Sequence, residues 1–163
     1  MSKRTNNPTN LDAWASATGL SMEEVKTSWE KLRRRGLVSI KRDKLAVSPF
    51  AMRRAASDAE RRLTAHLAGY LLTENSFVVR RVGDPPGLPG ILDTRITVEQ
   101  IANYFKEGWG VTEIEHDLDL LTRAEIEAAI QYYLNHRTEI ERDLRRSREL
   151  YEKHAPKRDT IPA

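Results

Sequence analysis

The 163-residue sequence predicts a mainly α-helical chain made of two small helical units, the first of them carrying a short β-hairpin. Three observations predict this. Four capping boxes, starting at Ser21, Thr97, Thr112 and Thr122, each pair a hydroxyl with a Glu or Gln three residues on, so four helices have defined starts. Apolar residues then recur at spacings of three and four, the period of one buried helix face. Finally, residues 83–90 (GDPPGLPG) form a proline-glycine stretch in which neither helix nor central strand persists, and it separates the units.

In chain order, Asn10 or Thr9 caps a first helix carrying Leu11, Trp14 and Ala15, which Gly19 ends. The box at Ser21 starts a second helix whose stripe is Val25, Trp29 and Leu32, and Gly36 stops it. Residues 37–40 and 45–47 then alternate as two short strands around residues 41–44. Helix, turn, helix and hairpin in this order resemble the later half of a winged helix-turn-helix DNA-binding domain. Its usual first helix is missing, so either the domain is trimmed or the following helix replaces it. The resemblance implies that the second helix enters the major groove and that the hairpin touches the DNA backbone. On the helical wheel Thr27, Lys31 and Arg34 lie opposite the buried stripe and are the base-facing candidates. Arg33, Arg35, Lys41, Arg42 and Lys44 are placed as phosphate contacts. Glu23 and Glu30 share that face and would be repelled by phosphates.

Met52, Ala56, Ala59, Leu63, Leu67 and Tyr70 predict a single amphipathic helix to about Thr73, which covers the first core or pairs with its copy in a dimer. Residues 77–82 read as a strand. The module joint falls in the proline-glycine stretch or, if 77–82 pairs with 91–96, near Asn75. The resulting division is 1–48, DNA-binding segment; 49–76, connecting or dimerisation helix; 77–154, second helical module; 155–163, disordered tail.

The second module reads as three helices. The first spans about 98–107, buries Val98, Ile101, Ala102 and Phe105, and ends at Gly108. A short helix follows over 113–118, burying Ile114 and Leu118. A long last helix has the row Ile126, Ile130, Tyr133, Ile140 and Leu144, and its charged end runs to Pro156. Asp93-Thr94-Arg95-Ile96-Thr97-Val98, Gly110-Val111-Thr112-Glu113-Ile114, Leu121-Thr122 and Ala129-Ile130-Gln131-Tyr132-Tyr133 resemble, in order and spacing, the family called domain of unknown function 433. That resemblance implies a VapB-type antitoxin paired with a PIN-like ribonuclease toxin. The sequence departs from the family pattern twice, with Asp93 where glycine is usual and Leu118-Asp119 where tyrosine-proline is usual. Tyr133, Arg137, Ile140, Leu144, Leu150 and Tyr151, on the last helix, are the candidate partner-binding residues.

Charge supports two different partners. Through Arg62 there are 14 lysines and arginines against 7 acidic residues, and beyond it 13 against 17. A basic front suits phosphate, and an acidic rear meets something else. Without cysteine there is no disulfide or thiolate chemistry. His66, His116, His136 and His154 lack ligand spacing, and no phosphate loop, nucleophile elbow or zinc helix appears, so neither cofactor nor metal is expected and an enzyme is disfavoured. The expectation is a cytoplasmic, homodimeric DNA-binding repressor that also neutralises a toxin. The alternative is a stand-alone dimeric winged-helix regulator or DNA-architectural protein.

Overall fold

The computed structural model describes residues 9–83 and 86–155. The chain is mainly helical with two small antiparallel sheets, and it divides into two compact units, residues 1–95 and 96–163.

Unit 1 opens with α1 (Leu11–Thr18), capped by Asn10 Oδ1, which accepts from the Ala13 amide, and stopped by Gly19 at φ 72°. Helix α2 (Met22–Arg34) starts at the complete Ser21–Glu24 capping box and buries Val25, Ser28 and Leu32. The hairpin β1 (Val38–Lys41) and β2 (Lys44–Val47) turns on Arg42 and Asp43 alone, both at positive φ (50° and 61°), as a two-residue turn matched to strand twist requires. Trp14 and Trp29 meet at 5.1 Å and join Leu20, Val25, Leu32, Leu37 and Val38 in one core.

The predicted single helix after the hairpin is broken. A one-turn α3 (Ala51–Arg54) and then α4 (Asp58–Ala68) are separated by extended Ala55 and by Ser57, whose hydroxyl accepts from the Glu60 amide as a new N-cap. Leu63 of α4 enters the tryptophan core, with Ala59 and Leu67 packed beside it, so the helix after the hairpin does close the core of α1 and α2. Gly69, at φ 77°, ends α4 before Tyr70. Tyr70, read from periodicity as helical, instead begins β3 (Tyr70–Leu72). It pairs with β4 (Val78–Arg81), which pairs in turn with β5 (Gly90–Ile91). Of the alternative pairing of 77–82 with 91–96, only residue 91 takes part, opposite Val78, and the strand runs back to Gly90 instead; the sheet belongs to unit 1, where Val79 and Leu92 pack with Met52 and Ala65. The division therefore falls after Arg95 rather than in the proline-glycine stretch or near Asn75. Asp84 and Pro85 lie outside the described residues.

Unit 2 begins with α5 (Val98–Lys106) behind the Thr97–Gln100 capping box, with Val98, Ile101 and Ala102 buried and Gly108 at φ 91° past its end. Helix α6 (Val111–Asp117) starts two residues earlier than its threonine suggests. Gly110 is its N-cap, without a side-chain bond, and Thr112 stands inside the first turn, where its hydroxyl accepts from Arg123. Helix α7 (Arg123–Asn135) has the predicted Thr122–Glu125 box and packs on α5 and α6. The long last helix is in fact two. His136 (φ −123°, ψ 33°) interrupts it, stacked on Tyr132 at 4.1 Å, and α8 (Arg137–His154) continues beyond. The disordered tail placed at 155–163 lies outside the described residues except for Ala155, the C-cap of α8.

Candidate nucleic-acid interface

The amphipathicity of α2 decides what it can present. Since Val25, Ser28 and Leu32 are buried, Thr27, Lys31 and Arg34, at spacings of four and three, are all exposed on the opposite side. Glu23 and Glu24 occupy the first turn and Lys31, Arg33 and Arg34 the last, each sign at the end of the helix dipole that favours it. Glu30, the carboxylate that would repel phosphate, is neutralised within the helix. Its oxygens accept from Arg33 Nη2 at 2.7 Å and from Arg34 Nε at 3.3 Å. The bond from Arg33 first, then its charge and that of Arg34, hold the Glu30 carboxyl below the usual carboxylate range. Arg34 keeps three quarters of its side chain in solvent and can still reach outward.

One predicted contact is reassigned. Arg35 turns inward, its guanidinium donating to the carbonyl of Arg54 at 2.7 Å and to Glu60, whose carboxylate is buried. A charge that deep is stable only with a partner, so Arg35 ties the end of α2 to α4 and leaves the phosphate-facing set.

The hairpin supplies the other cations. Lys41 and Lys44 are direct cross-strand partners and Arg42 is at the tip; all three are exposed and, among the described residues, form no ion pair. Like charges placed opposite each other on a strand pair are unfavourable until an anion lies between them. Ser39 and Ala46 share the face of the two lysines, while Val38 and Val47 face the core side.

The candidate partner-binding residues divide differently. Tyr133 and Ile140 are buried. The Tyr133 hydroxyl donates to Glu141 at 2.6 Å, Lys106 Nζ lies 2.8 Å from the same carboxylate, and the Arg137 guanidinium covers the Tyr133 ring at 5.6 Å. Burial first, then the neighbouring Glu141, raises the Tyr133 hydroxyl above its ordinary value, while the Lys106 bond lowers Glu141. Tyr133 and Ile140 are thus enclosed, and the bonds to Glu141 tie α5 and α7 to α8, while Arg137 stays exposed. Leu144 is half-buried, which leaves Leu150 and Tyr151, 58% and 72% exposed, as the apolar groups open to a partner. Sequence reasoning missed Glu60 and the break at Ser57; the signal was the Ser57-x-x-Glu60 spacing. His66 lines a groove beside β3, His116 and His154 fall in last turns, and no group of three or more His, Asp or Glu suited to a metal occurs among the described residues.

The arrangement defines unit 1 as a small helical module that exposes one face of a capped helix and a cationic hairpin. Residues 86–133 match the family model described as "Protein of unknown function (DUF433)", which overlaps the resemblance read over residues 89 to about 143 and ends about ten residues short of it. No curated protein and no solved structure matches the chain. The glycine that the family pattern places at position 93 has a physical meaning here. Asp93 adopts φ 57°, a left-handed conformation that glycine takes freely, and its carboxylate accepts from the Arg53 amide at 2.8 Å. Among the described residues, no helix is long and apolar enough to cross a membrane.

Proposed function

We propose that the protein is a cytoplasmic, homodimeric DNA-binding repressor of the antitoxin type, in which unit 1 acts as a winged helix-turn-helix domain and unit 2 binds and neutralises a PIN-like ribonuclease toxin. Helix α2 lies in the major groove with Thr27, Lys31 and Arg34 toward the bases. Arg33, Lys41, Arg42 and Lys44 hold the backbone. The observation that carries the DNA reading is the directly opposed, unpaired Lys41 and Lys44, flanking Arg42 and in the same unit as the exposed face of α2. The toxin reading draws its support from the family resemblance and from the exposed Leu150 and Tyr151. Binding, rather than a chemical reaction, is the role assigned to both units.

Changing Lys41, Arg42 and Lys44 together to alanine tests the first half. In a salt titration on random-sequence duplexes, log Kd against log salt should become shallower by about 0.9 for each phosphate that is no longer neutralised. An unchanged slope removes the hairpin from the interface. A second reading, a stand-alone dimeric winged-helix regulator or architectural protein without a toxin, is favoured by the burial of Tyr133 and Ile140, which withdraws two of the six residues meant for a partner.

A further inference from the structure

The three-stranded sheet of unit 1 ends in β3, and the geometry of that edge specifies what it can accept. The Val82 amide donates to the Gly69 carbonyl, and Tyr70–Leu72 continue the antiparallel register against Arg81, Arg80 and Val79. In such a ladder hydrogen-bonded and non-hydrogen-bonded pairs alternate. Gly69 and Leu71 therefore turn their backbone groups toward β4, and Tyr70 and Leu72 turn theirs away from it. Neither Tyr70 nor Leu72 has another backbone partner among the described residues. The same edge is apolar where a surface is expected to be polar: Leu71 is 41% exposed, Leu72 38% and Val82 61%. Ala17, Ala65 and Tyr70 line a groove of about 280 Å³ beside it. Arg62, at the rim of this groove, is already paired with Asp58 at 2.9 Å and brings no uncompensated charge.

We infer that β3 is the homodimer surface, pairing antiparallel with β3 of a second copy about a two-fold axis through Leu71. The occupant follows from the register. With Leu71 at the centre, the outward N–H and C=O groups of Tyr70 meet those of Leu72 in the copy, and the reverse pair is identical, so one three-residue strand satisfies itself. The two Leu71 side chains then cover each other, each with Arg80 directly across its own sheet and Val82 on the diagonal, and two open edges become the middle of a six-stranded sheet. The inference rests on the dimeric reading above and adds where the two copies meet.

The chain contains no cysteine, which makes the test clean. At the two-fold, the Leu71 residues form a non-hydrogen-bonded pair with Cα atoms about 4.5 Å apart, within disulfide reach. Leu71→Cys should therefore cross-link to a dimer under mild oxidation, while Lys26→Cys, on exposed α2, should not. Leu72→Pro removes only an outward amide, so the fold tolerates it. It should weaken dimerisation about 30-fold, for the removal of two hydrogen bonds per dimer, read by analytical ultracentrifugation alongside an unchanged circular dichroism spectrum. If the unmodified chain is monomeric at tens of micromolar, both the dimeric reading and this surface fail. If it is dimeric but Leu71→Cys does not cross-link, the dimer stands and the surface is wrong, and that arm decides even if the proline variant does not fold.

Discussion

Units 1 and 2 are built from the same device, a capping-box helix laid against its neighbours, yet they dispose of their charges differently. Unit 1 has 17 lysines and arginines against 10 acidic residues, and unit 2 has 10 against 14. In unit 1 one buried carboxylate, Glu60, takes Arg35, and Glu30 holds Arg33 and Arg34; Lys31, Lys41, Arg42 and Lys44 have no ion pair among the described residues. Unit 2 joins part of its polar groups internally, with Lys106, Glu141 and Tyr133 in one chain of bonds and Ser147 donating to Glu99, while Arg142, Arg145, Arg146 and Arg148 stand exposed on α8. The first unit keeps cations open on α2 and the hairpin, and the second uses part of its charge to fasten α8 and leaves the rest exposed along that helix. Net charge alone would have hidden this, since it does not distinguish paired from unpaired groups.

The comparison can be broken most directly at Arg35. Arg35→Ala leaves the buried Glu60 carboxylate without its cation and should cost about 3 kcal/mol, toward the low end of the range for a broken buried pair because the guanidinium is itself 39% exposed. A urea denaturation midpoint within error of the parent would show that the pair is ornamental. It would also return Arg35 to the phosphate-facing set.

A second change probes the outward side of unit 2. Replacing Leu150 and Tyr151 together by serine should leave stability within about 0.5 kcal/mol, as for exposed sites generally. The same change should reduce capture of a co-expressed PIN-type nuclease by at least tenfold, by about 1.4 kcal/mol. Full capture would move the toxin surface elsewhere, and capture by neither protein would favour the stand-alone regulator.

The smallest effect sharpens the internal side. Burial raises the Glu99 carboxyl, against the bond from Ser147. A carboxyl raised on folding favours the folded state below its unfolded value, and that benefit is lost as pH rises through the raised value. Glu99→Gln should therefore stabilise the protein near neutrality, by about 0.5 kcal/mol or less after allowing for solvent screening, and not at pH 4. Glu141 has the opposite sign. Bonds from Lys106 and Tyr133 lower it, so its contribution is present above the ordinary glutamate value and is lost as pH falls through the lowered one. Urea midpoints measured from pH 4 to 7.5 on both glutamine variants check the pair; parallel curves would contradict it.

What could be read in advance was whatever depends on neighbours in sequence. The boxes at Ser21, Thr97 and Thr122, the stop at Gly19 and the exposed face of α2 are local, and the structure repeats them. Thr112 misled because glycine two residues earlier is an equally good cap, and only packing chooses between them. His136 carries no glycine or proline signal, and its break is visible only through the ring of Tyr132 beneath it. Strand β3 and the inward turn of Arg35 depend on residues 9 and 25 positions away, beyond the reach of any local pattern. The same is true of the site: exposure on α2 and the hairpin was legible, as was the apolar row holding Tyr133 and Ile140, while the bond of Lys106 to Glu141, 35 residues away, was not.

The stretch that matches the family begins at residue 86, yet the fold divides after Arg95, and β5 lies between those two points. A fragment cut to the family's limits would carry β5 away from β4, stripping Val78 and Val79 of their neighbour and leaving a raw sheet margin on the piece that remains. Cutting after Arg95 instead keeps that sheet whole. Inheritance and folding draw their borders in different places in this chain, and a laboratory separating its halves should follow the second.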